Sequence, residues 1–194
     1  MTGKKNTHSG TNSTENVETR AADGKKRGDN LILIGMPTSG KSTVGIILAK
    51  ALGYEFTDID LLIQKKAGKK LAAIMEERGV DGFLSLEEEV TCGLSCSHTV
   101  IAPGGSVVYG EKAMEHLKSL GRVIYLQMDL DMLTERLHDA RNRGVALREG
   151  QTLEMLYNER VPLYEQYADI TVNESGHALE DMVVLIVSKL HTSS

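Results

Sequence analysis

The run Gly35-Met36-Pro37-Thr38-Ser39-Gly40-Lys41-Ser42 follows the pattern G-x-x-x-x-G-K-S. Those residue types at that spacing suit one task, the gripping of a phosphate chain. Glycines let the backbone curl until several N–H groups point inward at anionic oxygens. A helix that starts where the curl ends adds the positive end of its dipole. The ammonium of Lys41 then reaches the outer phosphates of a nucleotide, and the Ser42 hydroxyl offers an oxygen to Mg²⁺. Gly35, Pro37, Thr38, Ser39, Gly40, Lys41, Ser42 and Thr43 are therefore the expected nucleotide-binding residues. An ordinary glycine-rich turn is the competing reading, and the flanks argue against it. Leu31-Ile32-Leu33-Ile34 reads as a buried strand just before, and 44–52 as a helix just after.

Downstream stands Phe56-Thr57-Asp58-Ile59-Asp60. Residues two apart on a strand point the same way, so Asp58 and Asp60 are expected to project together. The carboxyl edge of the sheet, where α/β proteins bind ligands, is the place they would face. Two neighbouring carboxylates repel unless a cation or a proton relieves them. Magnesium with its waters would relieve one, and a substrate hydroxyl would engage the other. The plainer alternative is that Asp60 caps a helix starting near Leu61.

Such groups need a frame that brings loops to one edge. Strands are predicted over 31–34, 54–58, 99–102, 122–127 and 169–172. Helices are predicted over 44–52, 59–79, 81–97, 111–120, 129–139, 152–168 and 177–190, with breaks at Gly68 and Gly79. Their alternation predicts a three-layer α/β domain over 31–194 with a mostly parallel sheet. Residues 140–151 are rich in Arg and Gly with little apolar periodicity, as a mobile lid requires. Cys92 and Cys96 are four apart and are expected on one helix face as a buried thiol pair. With His98 they offer only three ligand types, too few for a metal site. Glu87-Glu88-Glu89 reads as a solvated helix face, and Tyr164 and Tyr167 as packing residues.

The chain has 194 residues, 25% charged and 41% hydrophobic, with 4% aromatic and no Trp. One domain with an aliphatic core is the expectation. A net charge of −5 argues against a nucleic-acid partner. No apolar run approaches the roughly 18 residues of a membrane span, so no membrane partner is expected. Two cysteines fit a reducing compartment, which predicts a cytoplasmic location. Residues 1–30 carry six Lys/Arg against four Asp/Glu and almost nothing to bury, so they are expected to be a disordered tail. That tail lacks the apolar centre of a secretory signal, and its four acids weaken a transit-peptide reading. The expected assembly state is a monomer.

The order of these features resembles a shikimate kinase over nearly all of 31–172. The phosphate loop is followed by Phe56-x-Asp58-x-Asp60 and Phe83-x-x-x-Glu87, and then by Gly104-Gly105 after a strand. An Arg-bearing lid at 136–148 and Arg160-x-Pro162-Leu163-Tyr164 complete the likeness. The resemblance implies a P-loop kinase fold with a five-stranded parallel sheet and a mobile lid. It implies ATP and Mg²⁺, and phosphoryl transfer to a hydroxyl of a small metabolite, shikimate by default. Position by position, Asp58 matches an acid that holds a magnesium-bound water. Asp60 matches the acid that orients and deprotonates the accepting hydroxyl. Gly104 and Gly105 match the last two glycines of a pocket-lining triple, and Arg160 an arginine that grips a substrate carboxylate. Arg136 matches the arginine that packs on adenine. Arg143 matches the lid arginine that closes over the phosphates, with Arg141 and Arg148 as rivals.

Two departures fall on the acceptor side. The family places an arginine where Leu84 stands, and a first glycine where Pro103 stands. A lost charge-assisted hydrogen bond of about 1.5–3 kcal/mol would weaken a carboxylate substrate by roughly ten- to a hundredfold. A related kinase for another hydroxylated acid, an amino acid or a polyol is therefore an alternative. A nucleotide-binding regulator without catalysis is a second, and the retained Asp58 and Asp60 speak against it. A nucleoside monophosphate kinase fits the Phe-x-Asp-x-Asp and Arg-x-Pro-Leu-Tyr elements less well.

Overall fold

The computed structural model describes residues 27–139 and 148–192. Nearly all of the expected tail and most of the expected lid, including Arg141 and Arg143, lie outside the described residues. The fold reaches further back than Leu31. Arg27 pairs with Asp169 at 2.7 Å, the Gly28 N–H donates to Ser119, and Asn30 opens the first strand.

The strands are β1 (Asn30–Ile34), β2 (Glu55–Asp58), β3 (Thr99–Ala102), β4 (Gly121–Gln127) and β5 (Ile170–Asn173). They form one five-stranded sheet in the order β2-β3-β1-β4-β5, parallel throughout. The helices are α1 (Lys41–Leu52), α2 (Ile59–Ala67), α3 (Leu71–Cys92), α4 (Glu111–Leu120), α5 (Leu130–Asp139), α6 (Leu153–Tyr167) and α7 (Leu179–Thr192). A single 3₁₀ turn covers Val107–Tyr109. This is the α/β fold that the alternation of patterns predicts. The central strand β1 is buried at every residue, because helices cover both faces of the sheet.

One core packs on each face. Ile32, Ile34, Phe83, Ile101, Met114 and Tyr125 meet on the face of α2, α3, α4 and α6. Leu31, Leu33, Val44, Leu48, Val172 and Ile186 meet on the face of α1 and α7. Aliphatic side chains dominate both, as the aromatic content requires. Among the described residues the buried aromatics are Phe83, Tyr125 and Tyr164, and the two tyrosines stack with centroids 5.1 Å apart.

Three sequence expectations change. The break at Gly79 is present (φ 69°), but α3 resumes beyond it and ends at Cys92, not near residue 97. Gly93 stops it, so Cys96 lies in the following loop. Cys92 is exposed and Cys96 half-buried, so there is no shared helix face and no buried thiol pair. Second, Glu87-Glu88-Glu89 is not a solvated face. Glu87 is 2% exposed, because it follows the buried Phe83 by one helical turn, while Glu89 faces solvent. Third, β2 ends at Asp58, and Asp60 lies inside the first turn of α2. The two aspartates do not alternate along one strand.

Candidate active site

Parallel strands end together, so the loops leaving β1, β2 and β3 gather at one edge. They enclose a cleft of about 370 Å³. From β1 come Pro37, Thr38, Gly40, Lys41, Ser42 and Thr43. The junction of β2 and α2 gives Asp58 and Asp60, and the loop after β3 gives Pro103, Gly104, Gly105 and Ser106. Arg160 on α6 lies opposite.

The phosphate loop is tightly determined. Gly40 adopts the left-handed conformation (φ 72°) as the cap from which α1 starts, a backbone setting glycine reaches at little cost. Thr38 does the same at φ 66° without that freedom. Its carbonyl is held by Arg136 Nη1 at 3.0 Å, and Arg136 in turn pairs with the buried Glu174 at 2.7 Å. Lys41 is the first residue of α1 and is buried. Its ammonium donates to the carbonyls of Gly35 (2.9 Å) and Met36 (2.7 Å) and to Ser39 Oγ (3.4 Å). Burial pulls its pKa down to about 8, against the opposing pull of Asp60 and Glu174.

The aspartates converge by a different route from the one predicted. Asp58 is the N-cap of α2, with Oδ1 accepting from the Leu61 N–H at 3.3 Å. Its other oxygen accepts from Ser42 Oγ at 2.8 Å. Capping thus falls to Asp58, not to Asp60 as the plainer alternative had it. Asp60, in the first turn, turns its carboxylate into the cleft. Burial pushes its pKa up to about 6, helped by the Asp58 charge and opposed by Lys41. A hydroxyl oxygen and a carboxylate therefore stand together at the mouth of the loop. Among the described residues no three His, Cys, Asp or Glu gather to cage a metal. Mg²⁺, which keeps several of its waters, suits so sparse a set.

On the acceptor side, Arg160 is 1% exposed. It donates from Nε to Tyr109 Oη at 3.2 Å and lies over the Tyr109 ring at 5.1 Å. Tyr164, one helical turn on, donates to the Gly105 carbonyl at 2.6 Å and fixes the glycine loop. Gly104 leaves room for two carboxylates. A Cβ there would collide with Glu87 Oε1 and lie 2.9 Å from Asp60 Oδ1. Glu87 Oε2 accepts from Ser106 Oγ at 2.6 Å, and Oε1 has no hydrogen-bond partner. Burial pushes the Glu87 pKa up to about 7, with the Ser106 hydrogen bond opposing.

The structure thus brings together Gly35, Pro37, Thr38, Ser39, Gly40, Lys41, Ser42, Thr43, Asp58, Asp60, Gly104, Gly105, Arg136 and Arg160. Arg143 lies outside the described residues. Its rival Arg148 is exposed and reaches Asp81 on α3 at 3.4 Å. Leu84 does not line the main cleft. It lines a smaller cavity behind Glu87 and Ser106. Sequence reasoning missed Glu174, Ser106, Tyr109 and Lys70, which lines the cleft at the start of α3. Only Glu174 carried a signal, as an acid one residue past a strand end.

The family described as shikimate kinase matches residues 37–191. A shikimate kinase of Thiobacillus denitrificans is 39% identical over 166 residues, covering 84% of this chain and 90% of that protein. One of Synechococcus sp. is 40% identical over 169 residues, covering 84% and 85%. The structure of shikimate kinase from Acinetobacter baumannii in complex with shikimate superposes with a TM-score of 0.79 at 32% identity. It covers 86% of this chain and 95% of that one. With the phosphate loop, the parallel sheet and these relatives in agreement, the chain belongs to the shikimate kinase family and is a small-molecule kinase.

Proposed function

We propose that the protein transfers the terminal phosphoryl group of ATP to a hydroxyl of shikimate. The observation that carries this reading is the convergence, in one cleft, of Lys41, Asp60 and Arg160. Lys41 leaves the loop carbonyls to hold the outer phosphates, and the N–H groups of residues 38–43 hold the inner ones. Ser42 and Asp58 would hold Mg²⁺, which neutralises phosphoryl charge when bound with the nucleotide. Asp60 orients the acceptor hydroxyl and takes its proton, a task for which a pKa near 6 is well placed. Arg160 grips the acceptor carboxylate, with Gly104 and Gly105 forming the wall beside it. Arg136 holds Thr38 and packs against the adenine. Arg143 closes over the phosphates when the lid shuts.

Phosphoryl transfer depends on positioning and charge neutralisation, and the rigid loop and buried ammonium supply both. The protein acts on its own as a monomer, inside the cell. Acceptor-dependent ADP release in a coupled assay tests the reading. Shikimate should stimulate release in the wild type and not in Lys41→Ala. ATP binding without acceptor-stimulated release would favour a regulator instead.

Leu84 favours a second reading of the acceptor. It puts an aliphatic chain on the cavity that Glu87 also lines, and no arginine or lysine lines that cavity among the described residues. A related kinase acting on another hydroxylated compound would use the same phosphate loop and Asp60.

A further inference from the structure

Behind the main cleft lies a second cavity of about 160 Å³. Leu84, Glu87 and Glu88 line it from one face of α3, and Ser106 and Tyr109 from the loop after β3. At about 30 Å³ for each water in the liquid, it has room for roughly five waters, or for a short arm of a ligand. Ser106 lines both cavities, so the two are neighbours.

The chemistry of the smaller cavity is one-sided. Glu87 and Glu88 line it, and no Lys or Arg does so among the described residues. Glu87 is 2% exposed, and its Oε1 lacks a partner where its Oε2 has one. A buried carboxylate oxygen without a donor costs free energy, and proteins seldom leave one unsatisfied. That oxygen lies against Gly104, which lines the main cleft, and Asp60 Oδ1 approaches the same glycine. Lys41 and Arg160 act on Glu87 from a distance, more weakly than burial does. Both have hydrogen-bond partners elsewhere.

We propose that Glu87 Oε1 and the cavity behind it bind an ammonium group, so that the protein accepts an alcohol carrying both a carboxylate and an amine. Arg160 holds the carboxylate, Asp60 holds the hydroxyl that is phosphorylated, and Glu87 receives the amine. The amine supplies the donor that Oε1 lacks and the positive charge that the lining lacks. This rests on the kinase reading of the main cleft and specifies the second reading of its acceptor, a hydroxylated compound other than shikimate.

Titration calorimetry in the presence of ADP tests it. The probes are shikimate, its analogues with each hydroxyl in turn replaced by an amine, and the N-acetyl forms of those analogues. One amino analogue should bind the wild type at least about tenfold tighter than shikimate, and acetylation should abolish the gain. Glu87→Gln should bring the ratio of the two affinities to about one. Leu84→Arg should do the same, because a guanidinium then occupies the cavity. If no amino analogue outbinds shikimate, or if the preference survives both substitutions, the proposal is overturned and Oε1 is satisfied by a buried water. The acetylation comparison uses only wild-type protein, so a variant that fails to fold does not remove the test. Shikimate binding without an amine preference overturns this subsite alone. No binding by shikimate or any analogue overturns the acceptor reading with it.

Discussion

On the nucleotide side of the cleft, the Lys41 ammonium is held by two main-chain carbonyls and a serine, and the loop around it is pinned by Arg136 and Glu174. On the acceptor side, the Glu87 carboxyl has one partnered oxygen and one unpartnered, and a cavity opens behind it. The first wall is built mostly of backbone, the second of side chains set around the Gly104-Gly105 loop. Backbone geometry depends on a few glycines and the start of a helix, and it tolerates little change. One substitution in a side-chain wall changes what a ligand meets there, and Leu84, on the smaller cavity, is where we propose such a change. The difference ties the phosphate loop to the fold itself, and we propose that acceptor choice lies in α3 and the loop after β3.

The largest expected effect breaks the nucleotide wall. Lys41→Ala should lower turnover by about a thousandfold, the upper end of the 10²- to 10³-fold that removing one preorganised charge donor typically costs. A coupled ADP assay checks this. Next comes the boundary between the walls. Asp60→Asn should lower kcat by roughly 10²- to 10⁴-fold and leave ATP affinity within about threefold. The pH profile sharpens the same point. Asp60 must be ionised to accept a proton, so kcat/KM should fall about tenfold per pH unit below about 6. ATP affinity should instead fall as pH rises above about 8, where the free enzyme's Lys41 loses its proton.

Smaller effects belong to the acceptor wall. Leu84→Arg should tighten shikimate by about tenfold in calorimetry, if a guanidinium placed beside Glu87 reaches the acceptor carboxylate. The raised Glu87 pKa also has a stability consequence with a definite sign. Its folded value of about 7 lies above the ordinary carboxylate value, so the folded state binds the proton more tightly. That contribution is complete below about pH 4 and is lost as pH rises through about 7. Glu87→Gln should therefore raise the melting temperature more at pH 8 than at pH 5. Tyr164→Phe removes the hydroxyl that fixes the Gly105 carbonyl and should raise the acceptor KM severalfold with little change in kcat.

How much of this was legible in the sequence follows the same division. The apolar runs at 31–34, 99–102 and 122–127 announce a parallel sheet, and the phosphate loop announces its own geometry. Asp58 and Asp60 are identifiable as a pair, but the period of two fails because β2 stops at Asp58 and a helix begins. Glu87 hides in a run of three glutamates, and only the phase of α3 after the Gly79 kink turns it inward. Glu174, Ser106 and Tyr109 act through contacts between distant segments, for which no local pattern exists. The cysteine spacing misleads for the opposite reason. It assumes a helix that Gly93 ends before Cys96 is reached.

The most direct test of the account follows the phosphorus atom itself. Purified protein is incubated with ATP, Mg²⁺ and shikimate and watched by ³¹P NMR. The account predicts that the γ-phosphate signal of ATP declines as a new phosphate-ester signal grows in equal amount, only when the acceptor is present and not with Asp60→Asn. ATP that stays intact beside shikimate, or yields free phosphate alone, would contradict it.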